Sequence, residues 1–166
     1  VLDADAIVTG TVSSTSARWG TDGRIYTDVA LTIQDSVKGG LNKSSTVHFS
    51  VLGGRIGGLV MDASSLPSFR KDEKVLLYLR EDDTSHVLVV YGGIRGKFMV
   101  NTDAKTGEEY VLAGSGAADL ALQEDAKALG SEDSPEDKIT EDMSGDGRIA
   151  LSEYLKYLRG LVRAQE

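Results

Sequence analysis

A chain of 166 residues, 40% hydrophobic and 27% charged, can bury a core of its own and is most simply one domain with an appendage. Its formal net charge of −8 argues against a nucleic-acid partner, and no apolar run of about 18 residues exists to cross a membrane as a helix. The absence of cysteine excludes a disulfide framework, a thiol nucleophile and a Cys-based zinc site.

The acidity is uneven. Residues 117–166 hold 12 acids and 6 bases, whereas residues 1–116 hold 14 and 12. The chain opens at Val1 rather than Met, so an upstream processing step is expected, a signal peptide being one form of it.

Residues 1–113 read as a β domain. Ala6 to Val12 alternates loosely around Gly10, where a bulge or a close backbone approach is expected, and a polar segment through Trp19 follows. Next comes the clearest strand pattern: Ile25, Thr27, Val29, Leu31 and Ile33 on one face, Tyr26, Asp28, Ala30, Thr32 and Gln34 on the other. A turn over Asp35 to Asn42 leads to Val47, Phe49 and Val51 on a third strand. Val75 to Arg80, Val87 to Tyr91, Lys97 to Asn101 and Glu109 to Leu112 are further strands, joined by polar turns.

Six or seven short strands punctuated by glycine argue for a small antiparallel barrel or sandwich. The glycines of Gly53 to Gly58 and Gly92 to Gly96 favour an OB-like barrel, since strongly coiled strands need them at corners. The fold class expected is therefore mainly β, with C-terminal helices in a second region over residues 114–166.

Beyond Leu112 the texture changes. Ala117 to Leu129 is rich in Ala and Leu and free of β-branched residues, which predicts a helix capped by Gly130, with Leu122, Ala126 and Leu129 free to seat it on the barrel. Ser131 to Ser134 is a short acidic linker. Ser134-Pro135-Glu136-Asp137 then reads as the start of a short helix over Pro135 to Glu141.

The stretch Asp142 to Glu153 carries the chemistry. It sets oxygen-bearing side chains at positions 1, 3, 5 and 12 of a twelve-residue loop, Asp142, Ser144, Asp146 and Glu153, with Gly147 at position 6. Ca²⁺ needs about 6–8 oxygens at roughly 2.3–2.6 Å, so a loop that wraps it must turn sharply and present ligands at every second residue. Gly147 supplies the left-handed corner. From Leu151 a helix follows, with Leu151, Leu155, Leu158 and Leu161 or Val162 on one stripe and Glu153, Lys156, Arg159 and Arg163 elsewhere.

These residues resemble the EF-hand family over about thirty positions. The resemblance implies that Asp142, Ser144, Asp146, the backbone carbonyl of Arg148 and both oxygens of Glu153 bind Ca²⁺. It also implies that Ile149 pairs through its backbone with a second loop, which this chain lacks. Ser144 departs from the Asp or Asn usual at position 3, and Ala150 offers no ligand at position 9. The thin entering helix also resembles half of a dockerin, the module that docks enzymes onto scaffoldin cohesins.

Other constellations carry less. Gly53 to Gly58 lacks the Lys-Ser/Thr of a phosphate loop. His48 and His86 are expected on separate strands facing solvent, and Asp82-Asp83, Glu108-Glu109 and Glu132-Asp133 are expected to be solvated. Trp19, Arg24, Tyr26, Arg55 and Tyr91 could form an aromatic, basic face for sugars or single strands, although ordinary packing explains them as well.

The function expected is that of a non-enzymatic calcium-binding protein in which Ca²⁺ folds a single EF-hand and docks it onto the β domain. The alternatives are an OB-type binder of oligosaccharide or oligonucleotide with a structural calcium, or a dockerin-like anchor. Three charged ligands predict a Kd near 10⁻⁵–10⁻³ M, which suits an extracellular or periplasmic monomer. The apolar stripe of the last helix is expected to pack within the chain, on the helix over Ala117 to Leu129 and the barrel surface.

Overall fold

The computed structural model describes residues 3–112 and 147–164. The expected helices over Ala117 to Leu129 and Pro135 to Glu141 and the linker Ser131 to Ser134 lie outside them. The described residues form antiparallel sheets and one helix, mainly β as expected.

Two long strands, β1 (Ala6–Trp19) and β2 (Ile25–Lys38), pair along most of their length. β3 (Thr46–Leu52) follows on the far edge of β2. A small hairpin of β4 (Gly54–Ile56) and β5 (Leu59–Met61) comes next. β6 (Lys74–Glu81) pairs with β1 on one edge, and with both β7 (Leu88–Val90) and β8 (Lys97–Met99) on the other. β9 (Asn101–Thr102), β10 (Glu109–Leu112) and β11 (Arg148–Ala150) form a third sheet, and helix α1 (Leu151–Arg163) closes the described chain.

The large sheet runs β3-β2-β1-β6-β7, with β8 beside β6. Where glycine placement led us to expect a barrel, this sheet is not closed: β3 and β7 approach each other, yet no ladder joins them. The expected corner glycines serve turns instead. Gly57 and Gly58 turn the β4–β5 hairpin, and Gly93–Gly96 is a 3-10 turn.

Alternation along the strands sends residues to two cores. Val8, Val12, Val29, Leu31, Ile33, Val47, Phe49, Val75, Leu77 and Leu79 fill one of them. Ile7, Leu76, Tyr78, Phe98, Val100, Val111 and Ile149 meet α1 in the other. The run Val75-Leu76-Leu77-Tyr78-Leu79 is apolar throughout because β6 is buried on both faces, each face feeding a different core.

β1 outruns the sequence expectation. Ser13 to Trp19, a polar segment by sequence, is strand because, past a register shift at Ser13, β2 pairs with it residue for residue from Ser14–Ala30 to Trp19–Ile25. Gly10 behaves as expected: the register shifts beside it, and a Cβ there would lie 2.4 Å from the Thr32 carbonyl oxygen.

Helix α1 buries Leu151, Tyr154, Leu155, Leu158 and Leu161. A lone helix of 13 residues is marginal in water, whereas burying each of these side chains contributes about 1.5–3 kcal/mol, so the sheet face holds the helix formed. The stripe therefore packs within the chain, directly on the sheet. Tyr154 joins it unexpectedly: its hydroxyl lies 3.1 Å from that of Tyr78.

Candidate metal centre

The second half of the expected calcium loop is described, and the first half is not: Asp142, Ser144 and Asp146 lie outside the described residues. Gly147 has φ 76°, the left-handed conformation that position 6 requires. The chain then straightens into β11, where Arg148 stands opposite Leu112, Ile149 opposite Val111 and Ala150 opposite Tyr110.

The backbone edge at Ile149 thus finds its partner in the β domain rather than in a second loop. Its side chain is buried in the α1 core. Leu151 opens α1 immediately, and Glu153 stands exposed in the first helical turn. A carboxylate there suits the positive pole of the helix.

Arg148 is tied down. Its Nη1 donates to Asp103 Oδ2 at 2.8 Å, and its guanidinium lies 4.5 Å from the Tyr110 ring centroid. Asp103 in turn holds its own loop, Oδ1 accepting from the amides of Lys105 at 2.8 Å and Thr106 at 2.9 Å. The Thr106 and Lys105 amides, with Arg148 behind them, hold the Asp103 carboxyl below its ordinary pKa. Sequence reasoning missed Asp103 and Tyr110 as supports of the site. No local signal marks them, because Asp103 and Arg148 are separated by 45 positions.

These features fit what a calcium loop asks of its second half: a left-handed glycine, a short extended stretch and a carboxylate one turn into a helix. Among the described residues no three His, Cys, Asp or Glu side chains gather into a metal site.

In comparisons with family models, curated proteins and solved structures, nothing matches this chain.

The remaining candidates are dispersed or engaged. His48 is exposed on β3, while His86, expected on a strand, sits in the β6–β7 turn with Nδ1 2.8 Å from Glu81. Asp82 holds that turn, its Oδ1 accepting from the Ser85 amide at 2.7 Å, the Ser85 hydroxyl at 2.9 Å and the Thr84 amide at 3.1 Å. Glu109 pairs with Lys74.

Trp19, Arg24 and Tyr26 do gather at the β1–β2 hairpin end. There Arg18 lies over the Tyr26 ring and bonds Asp28, and Asp22 takes the Tyr26 hydroxyl at 2.7 Å. Arg55 is on the β4–β5 hairpin, which leans on the same two strands. Tyr91 is not with them: it bonds Tyr78, at the opposite end of β1.

Proposed function

We propose that this protein binds one Ca²⁺ in the loop Asp142 to Glu153 and has no catalytic role. Asp142, Ser144, Asp146, the Arg148 carbonyl and Glu153 hold the ion. What carries the reading is one observation: left-handed Gly147, strand β11 and exposed Glu153 follow one another at loop positions 6, 7–9 and 12.

The described residues also suggest what the site is for. The second half of the loop is stapled to the β domain through the β10–β11 ladder, the Arg148–Asp103 pair and the buried stripe of α1. Bound calcium supplies the positive charge that lets Asp142, Asp146 and Glu153 converge. Because β11 and α1 share a core with the sheet, ordering the loop stabilises the β domain with it. We read that domain as an OB-like barrel left open between β3 and β7.

The alternatives draw less support. Arg18 is engaged by Asp28 and Arg24 lies beside Asp22, which weakens a basic face for oligonucleotides or oligosaccharides. A dockerin-like anchor would present its helix, whereas the apolar face of α1 is buried in its own chain.

Three charged ligands place the Kd near 10⁻⁵–10⁻³ M, suited to an exported protein in roughly millimolar calcium. Titration calorimetry is the test. Ca²⁺ is expected to bind with 1:1 stoichiometry, Mg²⁺ more weakly, and Glu153→Gln to abolish the heat while the sheet stays folded. No calcium heat in the unaltered protein would end the proposal, and a nanomolar Kd would reverse the inference of export.

A further inference from the structure

An open groove lies on the surface of the described residues. It encloses about 570 Å³ between the loop carrying Leu66, the 3-10 turn, β8 and the end of β10. Three large apolar side chains converge there while half exposed: Ile94 at 54%, Met99 at 49% and Leu112 at 42%. Isolated apolar side chains on a surface are ordinary, but several sharing a groove call for an occupant. Among the described residues no acid lines it; of its two bases, Lys97 is already paired with Glu73 at 2.7 Å.

Chain connectivity names the occupant. The chain leaves the described structure at Leu112, in the groove wall, and re-enters beside it, since Leu112 stands opposite Arg148 in the ladder. The 34 residues between carry 10 acids and 2 bases. Only four residues separate Leu112 from Ala117, a reach of about 17 Å at most, so the tether is short enough to present the sequence beginning at Ala117 to the groove at high effective concentration. Written as a helix, that sequence sets Leu122, Ala126 and Leu129 on one stripe with Asp119 and Asp125 on its flanks.

We propose that the groove of Ile94, Met99 and Leu112 is the docking seat of residues 117–129 of the same chain. Apolar stripe meets apolar floor, at the point where the chain itself leaves the sheet. The inference is independent of calcium.

The absence of native cysteine makes cross-linking a clean test. Met99→Cys would be combined in turn with Leu122→Cys, Ala126→Cys and Leu129→Cys, and each pair exposed to oxidised glutathione. A second series on Ile94→Cys guards against one unfavourable geometry, and both anchor sites are exposed enough to accept the change. At least one pair in each series is expected to close an intramolecular disulfide on the order of tenfold faster than a control pairing Leu122→Cys with His48→Cys, four ladders from β8 on β3. Dimeric disulfides instead would mean that the groove takes a second copy. Failure of every pair to exceed the control, with both thiols open to maleimide, would mean that the segment lies elsewhere. Either result overturns the proposal.

Discussion

Arg148 serves the site through two separable parts. Its carbonyl belongs to the proposed calcium shell, while its side chain grips Asp103 and covers Tyr110. Arg148→Ala removes only the second part. We expect it to cost about 1 kcal/mol in urea unfolding and to leave a calcium heat of the same sign, because the carbonyl remains. A complete loss of calcium binding in that variant would show that the side chain, rather than the backbone, organises the loop. Asp82 gives a prediction in pH. The Ser85 amide, then the Ser85 hydroxyl and the Thr84 amide, hold its carboxyl below the ordinary value. A carboxyl depressed in the folded state contributes stability that is complete above its unfolded pKa of about 3.9 and is lost as pH falls through the lower folded value. Asp82→Asn should therefore flatten the acid side of a plot of thermal midpoint against pH, below about pH 4. An unchanged acid slope would assign the effect to other carboxyls.

At the scale of elements, α1 is the test piece. Leu158 is wholly buried against the sheet, so Leu158→Ala should cost about 2–5 kcal/mol, and Tyr154→Phe about 1 kcal/mol through its lost bond to Tyr78. Chemical denaturation of both variants checks the ordering, and equal losses would contradict it. Much of this element was legible beforehand, because leucines at helical spacing declare a stripe. Tyr154 was not, since a tyrosine three residues after Leu151 reads equally well as a flank; only Tyr78 across the core decides its place. The strands divide in the same way. β2 and β3 announce themselves by alternation, whereas the outer half of β1 is strand through its partner and not through its own pattern. The left-handed Gly147 and the acid at Glu153 were legible in the proposed site because the turn and the helix start are local. The supports at Asp103 and Tyr110 were hidden, because the fold alone brings distant positions together.

At the scale of the molecule, two cores of the described residues share β6, so a change on either side of that strand is felt by the other. Calcium at tenfold the Kd should accordingly add about 1.4 kcal/mol to the stability of one cooperative transition that includes the β domain, and raise its thermal midpoint. Two separate transitions, with only one moved by calcium, would mean that the cores unfold independently. The ladder between Leu112 and Arg148 has a further consequence. In chain topology β10 and β11 are the arms of an ordinary β-hairpin, and everything between them is an insertion at its tip. An insertion that begins and ends at neighbouring backbone positions can be exchanged without rerouting the fold. Replacing residues 113–147 with Asn-Gly, a natural two-residue hairpin turn, should yield a shorter protein with the same sheet and the same buried helix, deaf to calcium. The segment would then be a removable cassette, and the β domain a host able to accept others in its place.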